Sequence, residues 1–196
     1  MKTGVIVLIV VLGFIGFGVM SISGSYNGLV KDQEPVTAAW SQVENVYQRR
    51  SDLIPNLVST VKGYADFEKG TLTAVIEARA KATATTIDPS NMTQEQMQAF
   101  QSNQGGLSQA LGKLMMITEA YPELKANQGF LELQAQLEGT ENRIAVERKN
   151  YNDVAQKYNT SRRQFPRNII ANMFGFTEKP YFKAEEGADK APKVQF

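Results

Sequence analysis

Residues Gly4 to Ile22 constrain this chain more than any other stretch. They form nineteen positions rich in Val, Ile, Leu, Phe and Gly, and no charged residue appears between Lys2 and Lys31. An α-helix rises about 1.5 Å per residue, so the run reaches roughly 28 Å, close to the hydrocarbon thickness of a bilayer. In lipid a lone segment satisfies its backbone polar groups only as a helix, so helix is expected despite four glycines. A cleaved secretory signal is the competing reading. Signal cores span only ~7–15 apolar residues and end at a small-x-small site, of which Ser21-Ile22-Ser23 is a poor version. An uncleaved single-pass anchor over residues 1–25 is therefore expected. Lys2 precedes the span, whereas Asp32 and Glu34 offset Lys31 after it. Positive charge prefers the cytoplasm, which points to a bacterial plasma (inner) membrane protein with its bulk on the periplasmic or extracellular face.

The remainder suits one domain, residues 26–182, with a disordered polar tail at 183–196. A polar connector is expected from Ser23 to Glu34, with Pro35 at the first position of a new helix. From there a stripe at three- and four-residue spacing runs through Val36, Trp40, Val43, Tyr47, Arg50, Ile54, Leu57, Val61, Tyr64, Glu68, Leu72, Val75 and Arg79, all on one helical face. Pro55 is expected to kink this helix, and a break is expected between Gly63 and Gly70. Thr93 and Gln96 form a capping box opening a helix with Met97, Phe100, Leu107, Leu111, Leu114 and Ile117 on one side. It must end near Tyr121, because Pro122 disfavours helical geometry just before it. A last long helix carries Phe130, Leu133, Leu137, Glu141, Ile144, Arg148, Tyr151, Ala155 and Tyr158, and a short one Ile169, Ile170, Met173 and Phe174. No segment alternates like a strand. The expected fold is all-α: a transmembrane helix followed by an antiparallel four-helix bundle with a long, kinked first helix.

The chain has neither His nor Cys and a formal charge of +1. That removes thiol nucleophiles, imidazole or thiolate metal sites, haem ligation by His and Ser-His-Asp triads. It also removes the Glu-x-x-His di-iron sites of helical bundles, and no phosphate-binding glycine loop is present. Enzyme chemistry would rest on Asp, Glu, Lys, Tyr, Ser or Thr alone, so a non-enzymatic protein without metal or cofactor is expected. Balanced charge and the lack of aromatics among the arginines argue against a nucleic-acid partner.

Two groups of residues stand out. Arg50, Glu68, Arg79, Glu141 and Arg148 fall on apolar stripes, and Glu119 ends the third helix. Charges on a core face must be paired, so these six are expected to form an ion-pair network fixing helix register; a polar ligand site inside the bundle is the alternative. Arg162, Arg163 and Arg167 make the end of the last long helix basic, complementing its dipole or meeting an anionic lipid or acidic partner. Phe174, Phe176, Tyr181 and Phe182 would close the bundle or contact a membrane or another subunit.

The chain also resembles the LemA family. The resemblance rests on the spanning helix followed by Tyr26-Asn27-Gly28-Leu29-Val30, on Arg49-Arg50-Ser51-Asp52-Leu53-Ile54-Pro55-Asn56-Leu57-Val58 and on Lys62-Gly63-Tyr64-Ala65. It continues through Ala78-Arg79-Ala80, Glu119-Ala120-Tyr121-Pro122-Glu123-Leu124, Thr140-Glu141-Asn142-Arg143-Ile144 and Tyr151-Asn152. It implies a membrane-anchored bacterial helical bundle and no particular activity. The expected role is a scaffold or protein-interaction module with an unidentified protein partner, or a homo-oligomer. Lipid binding or membrane shaping, and a small-ligand receptor, are the alternatives.

Overall fold

A polypeptide whose apolar residues recur every three to four positions can bury them only by laying helix on helix. The computed structural model describes residues 2–63 and 69–183, and no strand occurs among them. Six helices follow in order: α1 (Lys2–Lys62), α2 (Lys69–Ala84), α3 (Gln94–Thr118), α4 (Pro122–Lys125), α5 (Gln128–Arg163) and α6 (Arg167–Met173). The tail from residue 184 onward and the stretch 64–68, which includes Glu68, lie outside the described residues.

The first correction concerns the expected connector. Residues Ser23 to Glu34 are helical, and α1 runs without interruption from the apolar stretch through both Pro35 and Pro55. Pro35 therefore lies inside a helix rather than at its start. The loss at Pro35 is small, because the carbonyl it leaves without an N–H belongs to exposed Lys31, where water can take the bond. Tertiary contacts also hold this stretch: Leu29 is fully buried against Ile170 and Ala171 of α6.

Pro55 poses a harder problem, since the carbonyl it orphans belongs to buried Ser51. Arg79 of α2 solves it. Its Nε–H donates to the Ser51 carbonyl at 2.8 Å, replacing the missing i→i−4 bond and pinning α2 to α1. Arg79→Ala should leave that carbonyl unpaired at a cost of ~1–3 kcal/mol. The penalty should shrink when Pro55→Ala restores the helix donor, and chemical denaturation of the four proteins of this cycle measures the coupling. Equal penalties in both backgrounds would refute the link.

The remaining ends follow local rules. Thr93 and Gln96 exchange the expected capping-box bonds at 2.9 and 3.2 Å, and α3 stops at Thr118. Asn127 caps α5 by accepting from the Phe130 N–H at 2.9 Å. Along α1 and α5 the paired residues ascend on one and descend on the other: Asp32 meets Ser161, Trp40 meets Tyr151 and Arg50 meets Glu141. α2 lies on α3.

The core has three layers. One apolar cluster gathers Val36, Trp40, Val43, Tyr47, Met97, Phe100, Ile144, Tyr151 and Tyr158. A second gathers Ile54, Leu57, Val61, Leu72, Val75, Leu107, Leu114 and Leu137. Between them in the order of α1, α3 and α5 stand the buried polar residues Arg50, Ser51, Gln104 and Thr140.

After α6 and Gly175, whose φ of 75° is the left-handed conformation glycine adopts without strain, the chain returns along α5 as an extended strap. Two carboxamides of α5 clasp it. Asn159 accepts from the Lys179 N–H at 2.9 Å and donates to the Lys179 carbonyl at 2.8 Å. Asn152 does the same to Phe182 at 2.9 and 3.0 Å. Seven helical residues and three extended ones both span roughly 10 Å, so the two clasps are in register.

Candidate functional site

The guanidinium of Arg50 organises the middle layer. Arg50 is 1% exposed, and an arginine so enclosed needs partners for charge and N–H groups alike. Nη1 donates to Ser108 Oγ at 2.9 Å and to Glu141 Oε1 at 2.8 Å. Nη2 donates to the carbonyl and to Oε1 of Gln104, while the Tyr47 ring lies under the guanidinium, its centroid 5.0 Å from Cζ. Gln104 Nε2 in turn donates to the Ala82 carbonyl at the end of α2. One side chain thus ties α1 to α3 and α5 directly and to α2 through Gln104.

The network opens on a groove. Ser108, Leu111, Gly112 and Met115 of α3 face Gln134, Leu137, Glu138, Glu141 and Asn142 of α5 across a space of ≈ 630 Å³. The Glu141 side chain is 44% exposed although its partner is buried. The lining positions cover about two turns of each helix, with an apolar floor, a glycine in one wall and two carboxylates on the other.

The six charged residues expected to form one network separate into several roles. Arg50 and Glu141 pair. Arg79 does not join them, being committed to Ser51 across the proline. Glu119 is exposed at the C-cap of α3 and is not among the partners of Arg50. Arg148 donates to the Lys183 carbonyl at 2.8 Å and lies over the Phe182 ring, so it fastens the strap. Glu68 lies outside the described residues. Gln104 and Ser108 were not singled out in the sequence. The signal for Gln104 was a polar residue in the gap between Phe100 and Leu107 on an otherwise apolar stripe.

The seven basic and aromatic residues expected to contact a lipid or partner also divide. Phe182 is 6% exposed and stacks on Trp40, and Tyr181 receives a hydrogen bond from Asn159 at 3.0 Å. Both are held against α5 by the clasp on the strap. Arg162 donates to the Phe176 carbonyl and to Asn172. Arg167 bonds to Asp32 at 2.8 Å and to Ser161, approaching α1 at Gly28, where any Cβ would meet its guanidinium. Arg163 and Phe174 are exposed, and Phe174 and half-buried Phe176 pack edge-on against Tyr26.

Burial tunes three further groups. Desolvation raises the Tyr151 and Tyr158 hydroxyls above the ordinary phenol value, and they donate to the Pro180 and Thr177 carbonyls at 3.1 Å each. Desolvation lowers Lys179, against the opposing pull of Asp88. Its ammonium donates to the Pro89 and Ser90 carbonyls at 2.8 and 2.7 Å, joining the strap to the α2–α3 connector. Among the described residues no group of three or more carboxylates is placed to hold a metal ion.

A family model described as "LemA family" matches residues 39–196. Magnetosome protein MamQ 2 of Paramagnetospirillum magneticum is 27% identical over 201 residues, covering 94% of this chain and 74% of the relative. Protein LemA of Metamycoplasma hominis is 26% identical over 163 residues, covering 83% of this chain and 71% of the relative. Magnetosome protein MamQ of Magnetospirillum gryphiswaldense is 27% identical over 196 residues, covering 91% and 72%.

Proposed function

The chain belongs to the LemA family, and from that membership and the α3–α5 groove we propose that it is a membrane-anchored, non-enzymatic interaction module. Residues 1–25 act as the anchor and residues 26–182 as an antiparallel four-helix bundle, held at the outer face of the bacterial plasma membrane. The anchor is supported by α1, whose amino-terminal part is long and apolar enough to cross a membrane and wholly unburied. Lys2, which lies closer to the span than Lys31 on its other side, supports the orientation.

The observation that carries the interaction role is the groove itself. Its apolar floor and the carboxylates of Glu138 and Glu141 fit an amphipathic partner helix that lays Leu- or Met-like side chains on Leu111, Met115 and Leu137 and places a Lys or Arg beside the acids. The buried Arg50 holds Glu141 in position, so the acid is presented without adjustment on binding.

A photoreactive phenylalanine analogue at Gly112 should yield a discrete adduct in intact cells, and one at exposed Ile76 of α2 should not. Mass spectrometry should find a basic, helix-forming segment in the adduct, and Glu138→Lys should abolish it. An adduct with a second copy of the chain would assign the groove to self-association. Equal yields at both sites, or persistence after charge reversal, would overturn the reading.

A further inference from the structure

The membrane-proximal end of the bundle carries an apolar surface that the interaction groove does not use. Helix α6 buries Ile170 and Ala171 on Leu29, but Phe165, Ile169 and Met173 remain 81%, 51% and 65% exposed, and Phe174 51%. Ile169 and Met173 are spaced by four residues on α6, so they share one face, and Phe165 lies exposed in the turn that precedes the helix. An apolar surface this open is costly in water.

Its position on α1 says what covers it. The contacts descend α1 as α6 advances: Arg167 meets Asp32, Ile170 and Ala171 meet Leu29, and Phe174 meets Tyr26. Tyr26 stands four residues past Ile22, where the apolar span ends, a rise of about 6 Å. The headgroup layer on each side of a bilayer is itself about 5–7 Å thick. α1 is one continuous helix through this region, so the height of α6 above the span is set by the covalent rod that crosses the membrane.

We infer that α6 and the aromatic cluster Tyr26, Phe174 and Phe176 form a second membrane contact, a collar around the exit of α1 that seats in the headgroup and upper acyl region of a lipid bilayer. Tyr26 and Phe174 occupy the level where interfacial aromatics are favoured, and exposed Met173, at the end of α6 nearest that level, adds to the apolar surface there. Exposed Arg163, at the end of α5, lies at the same end of the bundle, where anionic headgroups attract basic residues. Asp32, Ser161 and Arg167 lock α6 to α1. The collar therefore fixes the tilt and rotation of the bundle on the membrane, where the anchor alone would leave it free to swing. The inference rests on residues 1–25 spanning the bilayer.

The chain has no cysteine, so single ones can be placed at will. Phe165→Cys, Ile169→Cys and Met173→Cys, each carrying a polarity-sensitive NBD fluorophore, are compared in the full-length protein reconstituted in vesicles of phosphatidylcholine and phosphatidylglycerol. Leu12→Cys serves as the anchor reference and Met116→Cys as the solvent reference. Lipids bearing a nitroxide high on the acyl chain should quench Met173 most, Ile169 less and Phe165 least, each more than Met116. Emission at Met173, the position nearest the level of Tyr26, should shift to the blue. If Leu12 is quenched while the α6 positions match Met116, the anchor stands and the collar falls. If the α6 emission is blue-shifted but unquenched, protein rather than lipid covers that surface, and the collar is equally refuted. If Leu12 is also unquenched, the spanning role itself is wrong and the collar goes with it.

Discussion

Glu141→Ala is expected to lower the stability of the folded chain by about 3–5 kcal/mol, as found when one partner of a buried ion pair is removed. The loss arises on Arg50 rather than on the residue removed. Its guanidinium is 1% exposed and would keep only the neutral acceptors Ser108 and Gln104, so an uncompensated charge stays in the interior. Water entering from the groove pulls the value towards the lower bound. The reverse change should differ in kind. With Arg50→Met, Glu141 is left 44% exposed and solvated, while the methionine fills part of the space between two apolar layers. The variant takes the donor from the buried Gln104 Oε1, at ~1–3 kcal/mol, but leaves no buried charge, so Arg50→Met should cost less than Glu141→Ala. Denaturant unfolding of the full chain in mild detergent, followed by circular dichroism, ranks the two. A cost below ~1 kcal/mol for Glu141→Ala would show that Arg50 does not depend on this carboxylate.

Phe182→Ala should destabilise by a similar amount, about 3–5 kcal/mol, the range for truncating a buried phenylalanine. Phe182 is the last apolar side chain of the strap and completes an aromatic cluster. Its ring lies 6.0 Å from Trp40, 5.4 Å from Tyr151 and 6.4 Å from Phe100, centroid to centroid. Truncation leaves a cavity against the chain's single tryptophan, so a change in Trp40 emission should accompany the loss. Asn152→Ala should reproduce part of the effect, because it releases both backbone bonds that hold Phe182 in place. A mutant with unchanged stability and emission would mean that the strap does not close the core.

For these aromatics the sequence leaves closure of the core and outward contact both open, for a physical reason. Residues 176–182 have no helical or strand periodicity, so nothing local indicates whether their aromatics face inward or outward. The decision rests on two asparagines seven residues apart on α5, whose spacing has meaning only once a strap lies beside them. Arg79 teaches the same lesson. Its place on an apolar face announced a buried partner, and the charge suggested an acid. The partner is the Ser51 carbonyl that Pro55 leaves open, 28 residues earlier in the chain. The connector expected at Ser23–Glu34 rested on Gly24, Asn27, Gly28 and Pro35. Those preferences amount to at most a few kcal/mol, and the docking of α6 on Leu29 and Asp32 opposes them.

The helical periodicities, the capping box at Thr93, the stop before Pro122 and the apolar length of the amino terminus were all determined by sequence alone, because each depends on residues within a turn or two of one another. Arg50 could likewise be marked as a charge in need of a partner from its position on the stripe. Only the tertiary structure decided that Glu141, Gln104 and Ser108 supply it, that their outer side forms a groove, and that α6 stands at the height of Tyr26. Those outcomes depend on which helices meet and at what level. That is settled by the joint burial of several apolar faces, a property no single segment carries.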